Sequence, residues 1–151
     1  MHRYVESGLD NIYLENGYRI HRTPYGEGIS IQDTEGLNRA IGRWVVSLPK
    51  PLTGAELRFL RLELEATQKD LASILGTTEQ TLRLWEKHRK KAMPGPADRL
   101  VRALYLEYIG KDESVRKMLE KLAKFGRKEH QSKVRFRETS RGWKQLESHH
   151  T

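Results

Sequence analysis

The chain has 151 residues, with 28 Lys and Arg against 20 Asp and Glu and a formal net charge of +8, so its length fits one domain, or one small domain with an appendage, and its charge suits a polyanionic partner. It contains no cysteine, which excludes disulfides, thiol nucleophiles and zinc sites built on thiolates. No stretch approaches the roughly 18 consecutive apolar residues of a membrane span, and Met1 to Glu6 lead into no apolar run of the secretory kind, so a cytosolic protein with no membrane contact is expected.

The charge is unevenly spread. Residues 1–50 carry six basic and six acidic side chains, residues 51–110 ten and eight, and residues 111–151 twelve and six. Parts of such different charge have different tasks, and their boundaries should fall where Pro and Gly gather. Pro49-Lys50-Pro51 before Thr53-Gly54 is one such place, and Met93-Pro94-Gly95-Pro96 marks another sharp connection. The expected layout is a small hairpin-plus-helix module over 1–48, a linker over 49–52, a helical domain over 53–125 and a basic tail over 126–151 without fixed structure when free.

In the front module, Ile12-Tyr13-Leu14 and Tyr18-Arg19-Ile20 flank Glu15-Asn16-Gly17, and Asn-Gly predicts a hairpin because both residues tolerate positive φ. Gly28 to Ile31 alternates polar and apolar residues and would add a third strand. Asp33 or Thr34 offers an N-cap for a helix to about Ser47, with Leu37, Ile41, Trp44 and Val45 at helical spacing. A hairpin alone is marginal, so its apolar face should pack on this helix or on another subunit.

The middle of the chain reads as helices. Thr53 can cap a helix striped by Leu57, Leu60 and Leu64; Thr67 opens a second, with Asp70 three residues on and Leu71, Ile74 and Leu75 inward. Gly76 ends that helix, and Thr78 caps a third with Leu82 and Trp85 inward. Ala97, Leu100, Val101, Leu104 and Tyr108 stripe a fourth helix; Val115, Met118, Leu119 and Leu122 stripe a fifth within 112–125.

Residues 68–87 meet the steric demands of a helix-turn-helix. Ala72 sits where the first helix would cross the second, Gly76 occupies the turn, and Leu71, Leu75, Leu82 and Trp85 supply the apolar contacts that set the crossing. On Leu60-Arg61, Thr67-Gln68, Leu71-Ala72, Leu75-Gly76-Thr77-Thr78 and Trp85-Glu86, residues 53–109 resemble the Cro and phage-repressor (XRE) family of regulators. The resemblance implies a mainly α fold, a Cro/repressor-like helical DNA-binding domain preceded by a small α+β module, whose second motif helix enters the major groove. It also implies an ion pair between Arg61 and Glu86 tying the first helix to the recognition helix, the alternative from the residues alone being two solvated charges.

The chemistry of the DNA contacts follows from side-chain type. Glu79, Gln80, Thr81 and Arg83 occupy the start of the recognition helix, the part that reaches base edges. Gln80 can bond bidentately to adenine, Arg83 to guanine, and Glu79 can accept from the cytosine amino group or serve only to favour its helix N-terminus. Gln68, at a helix N-terminus, and the Thr78 hydroxyl suit phosphate, as do Lys87, Arg89, Lys90 and Lys91 after the helix; Thr78 can also act purely as a cap.

The overall layout is similar to that of MqsA (YgiT-type) antitoxins and HigA-like regulators, in which a first module binds a toxin and, in the MqsA group, holds zinc through paired CxxC motifs. This chain lacks those cysteines. Toxin binding by residues 1–48 is implied by the resemblance alone, and Tyr13, Tyr18 and Tyr25 suit either a protein-binding face or a half-buried sheet. The six histidines have no metal-ligand spacing, and no phosphate-cradling glycine loop or nucleophile elbow appears, so neither metal, cofactor nor enzymatic activity is expected. Lys133-Val134-Arg135-Phe136-Arg137 and Arg141-Gly142-Trp143-Lys144 interleave cations with apolar residues, a pattern that suits single-stranded nucleic acid, duplex phosphate or a plain soluble extension.

Together these features predict a sequence-specific regulator, a repressor by default and an autoregulating antitoxin as a special case, bound to a duplex operator as a homodimer because one recognition helix reads few base pairs. The alternatives are a protein-interaction module that does not read DNA, and RNA or single-strand binding through the tail.

Overall fold

Short polar side chains open the helices, each by accepting a backbone N–H that the first turn leaves unpaired. In the computed structural model, which describes residues 1–111 and 135–146, Asp33 accepts from Gly36 N and starts α1 (Thr34–Ser47). Thr53 accepts from Glu56 N at α2 (Gly54–Glu63), Thr67 from Asp70 N at α3 (Gln68–Leu75), and Thr78 from Thr81 N at α4 (Glu79–Lys87). Glu56 Oε1 accepts in turn from Thr53 N at 2.9 Å, which makes the α2 cap reciprocal. After the Pro-Gly-Pro turn comes α5 (Gly95–Lys111). The apolar stripe over 112–125 lies outside the described residues.

The front of the chain forms two separate ladders, not one hairpin about Asn16-Gly17. β1 (His2–Arg3) pairs antiparallel with β2 (Tyr13–Leu14), and β3 (Tyr18–Thr23) pairs antiparallel with β4 (Gly26–Ile31). Gly17 does adopt a positive φ of 79°, but it joins the two ladders, and its carbonyl accepts from Gln32 N at 2.8 Å. The tight turn falls instead at Thr23-Pro24-Tyr25-Gly26. There the Thr23 hydroxyl donates to Gly26 O at 2.8 Å and accepts from Tyr25 N at 3.3 Å. Six residue pairs zip up behind that turn, whereas a turn at Asn16-Gly17 would leave the Gly26–Ile31 backbone without a ladder partner.

One apolar core joins the parts. Tyr4, Leu9 and Leu14 from the front pack in the same cluster as Ile41 and Val45 of α1, Leu57 and Leu60 of α2, and Leu71, Leu82 and Leu104. Tyr4 Oη also donates to Asn38 Oδ1 of α1 at 3.1 Å. The expected linker is fastened down. Leu52 is fully buried and its carbonyl accepts from Met93 N at 2.9 Å. Arg102 donates to Val46 O and Leu48 O at 2.9 and 2.8 Å, and also to Lys50 O. Its Nε meets the buried Asp98 carboxylate at 2.7 Å, so the 46–50 backbone is strapped to α5.

α1 crosses α5 at Gly42, where a Cβ would run into the Tyr105 ring. Tyr105 is fully buried, and its hydroxyl has no hydrogen-bond partner among the described residues. Burial, with the Glu63 carboxylate adding to it, pushes the phenol up to about 12. A buried hydroxyl left unbonded costs about 1–3 kcal/mol, so Tyr105→Phe is expected to leave stability unchanged or to raise it by about 1 kcal/mol. The midpoint of urea unfolding measures this, and a clear loss would mean that the hydroxyl is bonded in solution.

The tail, expected to lack fixed structure, contains an antiparallel hairpin of β5 (Phe136–Thr139) and β6 (Gly142–Gln145). Its turn repeats the chemistry of the first: the Thr139 hydroxyl donates to Gly142 O at 2.7 Å and accepts from Arg141 N at 3.2 Å. The described residues thus hold five α-helices, one 3-10 turn (Val5–Ser7) and three small antiparallel ladders.

Candidate nucleic-acid interface

Three helices set up the candidate surface. α3 and α4 are joined by Gly76-Thr77-Thr78, where Gly76 takes a left-handed φ of 72° and Thr77 N returns to Ala72 O at 2.9 Å. Ala72, Leu71 and Leu82 are buried beneath the crossing and Trp85 is half-buried. A small residue at 72 lets the two helices approach closely. The turn and the apolar wedge therefore aim the outer face of α4 away from the core.

A polar chain then pins α4 to its neighbours. Arg61 Nε and Nη2 donate to Glu86 Oε2 and Oε1 at 2.7 and 2.9 Å, and Arg61 Nη1 donates to Ala66 O at 3.1 Å. The two side chains are 12% and 5% exposed, so this fork-to-fork pair works in a poorly hydrated place. Gln68 Nε2 donates to Glu86 Oε1 at 3.3 Å, while Gln68 Oε1 accepts from Arg83 Nε at 3.4 Å. Arg83 Nη2 reaches Glu79 Oε1 at 2.9 Å, one turn back along α4. The sequence Arg61–Glu86–Gln68–Arg83–Glu79 is thus one hydrogen-bonded relay across α2, α3 and α4.

The relay changes the parts these residues can play. Gln68, assigned to phosphate, is occupied at both ends of its amide. Arg83 and Glu79, assigned to bases, hold each other at the surface in an exposed i, i+4 pair worth about 0.3–0.5 kcal/mol, weak enough for a stronger ligand to displace. The Thr78 hydroxyl accepts from Thr81 N at 3.1 Å and donates to Thr81 Oγ1 at 2.8 Å, so capping engages both Thr78 and Thr81. Gln80 is exposed, and its side chain makes no hydrogen bond to any described residue.

Of the basic run, Lys87, Lys90 and Lys91 are exposed, but Arg89 turns to the front module and donates to Gly8 O. Around that contact lies a cleft of about 560 Å³, into which Arg3, Lys50, Arg89 and Lys90 project with Asp10 and Glu56. Most of this charge is already engaged: Lys50 Nζ is 2.6 Å from Glu56 Oε1, and Arg3 donates to Asp10 O at 3.1 Å. Its place after α4 in the sequence points Arg89 to phosphate, and the tertiary position of Gly8 carries no local signal.

No family model, no curated protein and no solved structure matches the chain.

In the tail hairpin, Glu138 faces Trp143 across the ladder, and Phe136 lies two residues before Glu138. Alternation therefore sets both aromatics on one face with an acid between them, and Arg137 on the other. Cations and aromatics that alternate along these two strands therefore fall on opposite faces of the ladder. Among the described residues, no group of three or more His, Asp or Glu could hold a metal ion, and no helix is long and apolar enough to cross a membrane.

Proposed function

We propose that this chain is a sequence-specific DNA-binding regulator of the Cro/phage-repressor (XRE) kind, acting as a homodimer on a pseudo-palindromic operator and repressing by occupying it. The observation that carries this reading is the outer surface of α4. Glu79, Gln80, Arg83 and Lys87 are all exposed on a helix whose inner side is locked by Leu82 and by the Arg61–Glu86 pair. A rigid helix with an outward polar face and a net positive run behind it has the shape and charge that major-groove reading requires. In its antitoxin form, residues 1–48 also hold a toxin, for which the exposed side chains of Tyr13, Ile20 and Tyr25 are available.

Gln80 gives the cleanest test, because its side chain is exposed and makes no hydrogen bond to any described residue. Gln80→Ala is expected to weaken binding to the duplex selected from a random pool by about 1–3 kcal/mol, with little change on unrelated duplex. A gel-shift titration with excess competitor DNA measures both. Absence of any discrete, competitor-resistant complex for the wild-type protein would defeat the proposal.

A further inference from the structure

Gln80, Leu84 and Lys87 stand at i, i+4 and i+7 on α4 and form one outward strip. Leu84 is 47% exposed, whereas Leu82, two residues back and turned by about 200°, is fully buried. Leu84 therefore belongs to the polar face of the helix and not to the rim of its apolar one. Its neighbours on that face are an amide and two cations, Gln80, Arg83 and Lys87. The Arg83 guanidinium, held by Glu79 and Gln68, is drawn to the side away from it.

Within the DNA-binding reading, on which this inference rests, we propose that Leu84 is a specificity-determining residue that reads the 5-methyl group of a thymine. A helical rise of about 1.5 Å per residue puts Leu84 about 6 Å beyond Gln80, less than two base-pair steps of about 3.4 Å each. The major-groove edge of thymine offers the one apolar group among the four bases, and an aliphatic side chain can recognise nothing else there. With Gln80 on adenine, the pair selects half-sites in which an adenine and a thymine methyl lie within two base pairs of each other. The target class is therefore A·T-containing major groove bearing the methyl, not duplex phosphate in general.

Deoxyuridine differs from thymidine only by that methyl. Replacing each operator thymine in turn by deoxyuridine is expected to weaken wild-type binding about fourfold at one position of each half-site, as follows from exposing one methyl, with no change elsewhere. Leu84→Ala, at a half-exposed position, should keep the wild-type melting curve and oligomeric state and should bind the thymine and deoxyuridine operators alike. A wild-type protein that binds the operator tightly yet ignores every deoxyuridine overturns the inference and leaves the DNA-binding reading standing. So does a Leu84→Ala variant that keeps the deoxyuridine effect, or one that loses self-association, which would make Leu84 a subunit contact. Failure of the wild type to form a specific complex with any duplex refutes the DNA-binding reading itself.

Discussion

Glu86→Ala is expected to destabilise the protein by about 3–5 kcal/mol, the loss found when one partner of a poorly hydrated ion pair is removed. Glu86 is 6% exposed and accepts from Arg61 twice and from Gln68 once. Without it the Arg61 guanidinium keeps, among the described residues, only the Ala66 carbonyl, and an almost fully enclosed charge loses the carboxylate that balances it. Arg61→Ala should cost a similar amount, because the carboxylate then keeps, among the described residues, only the Gln68 amide. Replacing both, as Arg61→Met with Glu86→Leu, should recover most of the loss, since a matched apolar pair avoids the desolvation that the charges incur. Urea unfolding of the two singles and the double gives the coupling. Single variants within about 0.5 kcal/mol of wild type would show that water reaches the pair and that α4 is anchored by packing alone.

Bonds between near neighbours in the chain are legible in the sequence, and those between distant segments are not. Asp33, Thr53, Thr67 and Thr78 all cap the helices expected of them, because a cap is a bond between residues three apart and needs no tertiary information. Helical periodicity likewise placed Leu57, Leu60, Leu71 and Leu82 in the core. Asn16-Gly17 closes no hairpin, because its favourable local turn loses to a longer ladder closed by Thr23 and Gly26. The strap from Arg102 to the carbonyls of 46–50 spans more than fifty residues, and nothing in Pro49-Lys50-Pro51 distinguishes a fastened segment from a free linker. The candidate interface shows the same limit. Exposure of Gln80 followed from helical phase, but the bond between Gln68 and Arg83 depends on how α3 crosses α4. Leu84 had a readable signal, an apolar residue one turn after Gln80 on the polar face.

Two glycines to alanine should move stability in opposite directions, and the contrast isolates what fixes α4 in space. Gly110 lies exposed in α5 with no described residue within 4 Å of where a Cβ would stand, so Gly110→Ala should stabilise by about 0.5–1 kcal/mol through lower unfolded-state entropy and better helix propensity. Gly54, the first residue of α2, would be expected to behave the same way from sequence. Its Cβ, however, would run into the backbone carbonyls of Trp85 and His88 at the end of α4, and backbone cannot rotate aside as a side chain can. The approach is drawn tight by two bonds, Gly54 N to Lys91 O and Ala55 N to Arg89 O, both 3.1 Å. Relieving the overlap must lengthen them and push the end of α4 outward. Gly54→Ala should therefore cost about 2–3 kcal/mol, at the upper end for overpacking. Under the proposed DNA-binding function it should also weaken operator binding beyond the loss of folded protein, because a tilted α4 would no longer present Gln80 and Leu84 together. Melting curves and binding titrations corrected for the folded fraction test this, and a Gly54→Ala protein as stable as wild type would show that α2 and α4 are not held in contact at that point.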